Sequence, residues 1–97
     1  MDADDAVAIL VAEGAGPARR WGNGPGDRYG RHDHPSHKVL FCLSGSIVFH
    51  LDDGDVELGP GDRLDLPRGT PHAATVGSSG CECVEGYRRA ADAEPGP

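Results

Sequence analysis

The chain has 97 residues and a formal charge of −7, from sixteen Asp and Glu against nine Lys and Arg. That length holds one small core and no second. The sign of the charge excludes DNA or RNA as a partner, since displacing counterions takes a basic surface. No apolar run approaches the roughly 20 residues of a membrane-spanning helix, and the run at 6–12 follows Asp2, Asp4 and Asp5, where an export signal would carry basic residues. A soluble, cytoplasmic protein with no membrane partner is expected.

Apolar residues make up 37% of the chain and aromatics only 5%, so the core must be compact and aliphatic. Fifteen Gly and eight Pro fall between short apolar runs, a pattern of many turns joining many short strands.

In chain order, residues 2–13 read as a short helix. The aspartates supply negative charge and a cap at its start, Ala6, Ile9 and Leu10 fall at helical spacing, and Gly14 is a stop. About three turns are marginal alone, so this helix is expected to lie against the barrel or a second subunit. Residues 14–30 read as irregular or edge structure around Trp21 and Tyr29.

From residue 31 the period changes to two. Strands are expected at 32–34, 39–43, 47–51, 56–58, 63–66, 72–76 and 81–87, separated by turns at Pro35-Ser36, Ser44-Gly45, Asp52-Asp53-Gly54, Gly59-Pro60-Gly61, Pro67-Arg68-Gly69 and 77–80. Short strands at this spacing, with no helix among them, indicate an all-β sandwich or barrel. The expected organisation is an N-terminal helix and linker at 1–20, an antiparallel barrel at 21–89 and a disordered tail at 90–97.

Cys42, Cys81 and Cys83 are an odd set with no CxxC pair, which excludes a zinc ribbon and a thioredoxin-like site. They read as free thiols, with Cys81 and Cys83 on one strand face as small apolar fillers.

Three of the five histidines crowd into six residues: His32, His34 and His37. In a strand, His32 and His34 share a face about 7 Å apart. Two such imidazoles can converge on one ion at about 2.0–2.1 Å if another stretch of chain supplies more ligands. His72, just after a Pro-Arg-Gly-Thr-Pro turn, is the candidate. The competing reading of the three is a polar cluster of uncharged histidines bridged by water. His50 falls on the opposite face of its strand and reads as exposed or strand-packing; Tyr29 can reach the barrel mouth or join the core.

The frame around these histidines resembles the cupin family. Its first motif is Gly, five residues, His-x-His, three or four residues, Glu, six residues, Gly; this chain has Gly26, His32-Asp33-His34, Lys38 and Gly45 at those spacings. Its second is Gly, five residues, Pro-x-Gly, two residues, His, three residues, Asn; here stand Gly61, Pro67-Arg68-Gly69, His72 and Val76. The resemblance runs over roughly residues 21 to 87. It implies a small antiparallel jelly-roll barrel with one metal inside, open to solvent at one mouth, and ligands at His32, His34 and His72.

Lys38 stands where the family has its Glu ligand, and an ammonium beside a dication is repelled. Either Lys38 turns away to a carboxylate or an anionic ligand, or His37 swings in as fourth ligand, or the site holds no metal. Three neutral imidazoles with vacant positions suit Zn, Ni, Fe or Cu better than Mg or Ca. The functional expectation is a metal-dependent enzyme on a small molecule, with Lys38 as the polar catalytic candidate; the alternative is a non-catalytic binding or sensing module. Open strand edges lead to the expectation of a homodimer.

Overall fold

The structure is a computed structural model and describes residues 1–88. Residue 89 and the tail expected to be disordered at 90–97 lie outside the described residues.

The aspartates at the start of the chain do make a cap. The Asp2 carboxylate accepts the Asp5 backbone N–H at 2.9 Å and Asp5 returns the bond to the Asp2 N–H at 3.3 Å, which fixes the start of helix α1 (Ala3–Ala12). Gly14, at φ +75°, turns the chain out of it. Ala6 and Leu10 are fully buried against Val39, Phe41 and Val84, so the helix lies on the barrel's outer surface.

Six strands follow: β1 (Arg19–Asn23), β2 (Arg28–His32), β3 (Lys38–Leu51), β4 (Gly54–Leu58), β5 (Arg63–Leu66) and β6 (His72–Tyr87). The region expected to be irregular thus contains β1 and most of β2, both paired to β6. Conversely, 39–43 and 47–51 are one strand, and so are 72–76 and 81–87. The expected turn at Gly45 is a bulge: the register of β3 against β6 shifts on either side of it, and 77–80 bow out opposite. Gly45 has φ +70°, and a Cβ there would run into the Gly80 carbonyl, so this position requires glycine without reversing the chain. The β3–β4 hairpin pairs Leu51 with Gly54, which makes Asp52-Asp53 its two-residue loop, inside the turn expected at Asp52-Asp53-Gly54.

The bends in β3 and β6 divide the antiparallel strands into two faces. One sheet runs β1, the C-terminal half of β6, the N-terminal half of β3, then β5. The other runs β2, the N-terminal half of β6, the C-terminal half of β3, then β4. This is the jelly-roll architecture: two sheets sharing their two central strands around one core. Leu40, Cys42, Ile47, Phe49, Leu58, Ala74 and Val76 fill it, joined by Cys81 and Cys83. All three cysteines are free and buried, and burial raises each thiol above its ordinary value, so they stay protonated and serve as apolar filling. Among the described residues no helix is long and apolar enough to cross a membrane.

Candidate metal centre

Strand pairing brings the two motifs together. His32, the last residue of β2, stands directly opposite His72, the first of β6, after a register shift that follows Tyr29. His34 lies two residues past the end of β2, outside the strand expected at 32–34. Its carbonyl accepts the Gly69 N–H at 2.9 Å, which ties the His-x-His segment to the turn that delivers His72. The rings meet: centroid separations are 4.4 Å for His32–His72, 4.8 Å for His32–His34 and 5.2 Å for His34–His72. One ring nitrogen from each lies within 4.8 Å of the other two.

The hydrogen bonds fix which nitrogens are free. His72 Nδ1 is 2.9 Å from the Thr70 carbonyl, and His32 Nδ1 is 2.6 Å from the Gly30 carbonyl. A carbonyl only accepts, so each Nδ1 carries the proton and each Nε2 keeps its lone pair. The Nε2 atoms of His34 and His72 are buried without a hydrogen-bond partner. Buried polar atoms are ordinarily satisfied, and two such orphans side by side fit a missing ligand. Three nitrogens grouped around one ion at about 2.0–2.1 Å lie about 3.3–3.6 Å apart, so the separations here must close by about 1–1.5 Å, shared among the three rings, to complete the site. Burial, then the Lys38 charge and the neighbouring imidazoles, lower the pKa of His34; burial is also the main cause of the lowering at His72. Both therefore favour the neutral form that coordinates metal.

The other sequence candidates fall elsewhere. His37 is not brought to the cluster: its Nε2 lies 3.0 Å from Asp65 Oδ2 on the outer face. The cause is strand parity, since the next residue, Lys38, faces inward. His50 spans Asp55 Oδ1 and Thr75 Oγ1, each at 2.9 Å, and takes no part. Tyr29 lines the cavity mouth, edge-on to Trp21 at 6.0 Å, and its hydroxyl donates to Asn23 Oδ1.

Lys38 is buried and inward, 3.1 Å from Glu85 Oε1. Trp21 Nε1 donates to the same oxygen at 2.6 Å. Burial, with the charge and hydrogen bond of Glu85, pushes the Tyr87 phenol up to about 12. Lys38 thus finds its carboxylate without leaving the interior. Sequence reasoning missed Glu85, although its signal was present: Cys81, Cys83, Glu85 and Tyr87 alternate on one strand face, and a Glu in an inward series is out of place unless partnered. The triad and this pair line one cavity of about 820 Å³, with Trp21, Ile47 and Phe49 among its apolar walls.

A two-sheet jelly roll with three histidines meeting at the mouth of an internal cavity defines the class of protein. The family model for the cupin domain matches residues 21–84, and the chain belongs to the cupin family. It is 37% identical over 54 residues to quercetin 2,3-dioxygenase of Bacillus subtilis, a stretch covering 55% of this chain and 16% of that enzyme. It is 39% identical over 46 residues to the dimethylsulfoniopropionate lyase DddQ of Ruegeria pomeroyi, 46% of this chain and 23% of that one. The crystal structure of that lyase aligns with TM-score 0.70 and 28% identity over 75% of this chain and 38% of its own. A cupin from Desulfitobacterium hafniense aligns with TM-score 0.67 and 19% identity over 74% of this chain and 66% of that one, a likeness of fold. The chain spans less than a quarter of the two curated relatives it matches.

Proposed function

We propose that this cupin domain holds one divalent transition metal on His32, His34 and His72 and acts as a metal-dependent enzyme on a small molecule bound in the cavity. The observation that carries the reading is the pair of buried, partnerless Nε2 atoms on His34 and His72, beside the free lone pair of His32, at the edge of an 820 Å³ space. An all-imidazole set favours Zn, Ni, Fe or Cu over oxygen-seeking Mg or Ca. A bound ion of this kind would polarise a ligand oxygen or acidify a water. The chain's own residues do the rest: Thr70 and Gly30 orient the rings, the apolar wall excludes water, and the Lys38–Glu85 pair offers polar contacts. The two curated relatives are named as enzymes of small molecules, in line with this reading.

The test is metal content. Wild-type protein loaded with zinc should retain about one ion per chain, and His32→Ala and His72→Ala should each retain far less. Equal loads in all three would dismiss the site.

A binding module without turnover is the second reading. The observation behind it is that Lys38 and Glu85 neutralise one another, so no free acid or base stands in the wall between them. Oxygen consumption or product formation across a panel of small acids, ketones and thiols, measured on metal-loaded protein, separates the two. Pairing of two chains along the open outer edges of β1 and β2 is proposed as the mode of a homodimer, checked by light scattering.

A further inference from the structure

The cavity wall carries a charge opposite to that of the whole chain. Acids exceed bases over the sequence, yet the charged residues lining the cavity are Arg19, Lys38 and Glu85, two cations against one carboxylate. A cationic recess with low-dielectric walls concentrates field on whatever enters it.

The hydrogen-bonding capacity of these groups is uneven. Glu85 is engaged by Lys38 at 3.1 Å and by the Trp21 N–H at 2.6 Å. An ammonium carries three donors, and among the described residues Glu85 is the one ion-pair partner of Lys38. Arg19 is exposed and stands opposite Glu85 in the β1–β6 register, while Lys38 stands opposite Tyr87 in the β3–β6 register with Nζ 5.9 Å from that ring. Among the described residues Arg19 makes no ion pair. Two cations with donors to spare therefore line the cavity from the strands on either side of β6, and the acid between them is already occupied. Below them Trp21 and Phe49 offer apolar surface.

We propose that the cavity takes a small monocarboxylate with an apolar body, its carboxylate held by Lys38 and Arg19 and its body packed against Trp21 and Phe49. This deepens the reading of the cavity as a small-molecule site and rests on it, but it does not require the ion. Glu85 is a positioning residue that holds the Lys38 ammonium in place. The same carboxylate disfavours a dianion such as a phosphate monoester, whose second charge would lie close to it.

The test is calorimetric titration with benzoate, benzamide and phenyl phosphate, on protein stripped of metal and on zinc-loaded protein. Benzamide keeps the shape of benzoate and removes its charge. Wild-type protein should bind benzoate at least about tenfold more tightly than benzamide, the size expected of charge-assisted hydrogen bonds. Arg19→Gln should lose most of that preference. Lys38→Met alone strands a buried carboxylate, so the companion variant is Lys38→Met with Glu85→Gln, which should lose it too. Equal binding of benzoate and benzamide, or binding of neither, overturns the proposal. So does retention of the preference in either variant, and tighter binding of phenyl phosphate than of benzoate overturns the carboxylate class. The metal reading fails separately: zinc retained by His32→Ala and His72→Ala sinks that reading and leaves the preference of the stripped protein standing.

Discussion

Ion pairs stand on both faces of the sheet formed by β1, β6, β3 and β5, and the two sets differ in kind. On the outer face Arg63 clamps Glu13 at 2.6 and 2.7 Å and Asp65 at 2.7 Å, while Arg88 reaches Glu13 at 3.0 Å. These side chains are about a third exposed, and they tie the end of α1 to β5 and to the chain just past β6. On the inner face Lys38 and Glu85 form a single contact, and their side chains are 10% and 6% exposed. The outer set has the better geometry and the weaker electrostatics, because water and salt screen it. The inner pair has been taken out of water, and desolvation offsets most of its attraction; apolar side chains of the same volume would hold the sheet about as well. The outer network is accounted for by the fold. The inner pair is accounted for by the cavity it faces.

The largest effect that follows is at Glu85. Glu85→Ala leaves a buried ammonium without its carboxylate and should destabilise the fold by about 3–5 kcal/mol in urea titration. A change below about 1 kcal/mol would mean that Lys38 reaches water and the faces are alike. Next comes Leu10→Ala, which empties the helix–sheet contact under the outer network and should cost about 3 kcal/mol. A negligible loss there would mean that the ion pairs, not packing, hold α1. Smaller still, Lys38→Met with Glu85→Leu should fall within about 1 kcal/mol of wild type. A loss as large as that of Glu85→Ala would give the pair a structural role and remove the contrast.

The sequence made the barrel and the triad legible for a physical reason: both depend on turns and alternation, which are local. His32, His34 and His72 sit at fixed distances from Gly and Pro positions that shape the backbone, and the structure brings their rings together. Bends were harder to see. Gly45 and the 77–80 segment carry turn composition, but continued pairing of β3 with β6 on both sides makes them bulges inside long strands. β1 was hidden because Arg19, Arg20 and Trp21 show no alternation of their own; pairing with β6 makes it a strand. Glu85 carried a signal in its alternation with Cys81, Cys83 and Tyr87, but its partners did not show. A lone Glu near the end of a strand reads as solvent-facing until its register against Leu40 turns it inward, toward Lys38 and Trp21.

The smallest effect is the pH response of the outer face. Hydrogen bonds from Arg63, ahead of those from Arg88, hold the Glu13 carboxyl at about 2, against an ordinary value of 4.5. A carboxyl whose folded-state pKa is depressed contributes stability that is fully present above its unfolded value and is lost as pH falls through the folded one. The stability difference between wild type and Glu13→Gln should therefore be constant from neutral pH down to about one unit above 4.5, shrink as pH falls further, and vanish only below pH 2, where the Glu13 carboxyl is protonated in both folded and unfolded states. Because the group is about a third exposed, the difference should also shrink in about 1 M salt, where the screening length falls to about 3 Å. The loss in Glu85→Ala should persist at that salt, since its partner is buried. A salt-insensitive Glu13 together with a salt-sensitive Glu85 would reverse the assignment of the two faces.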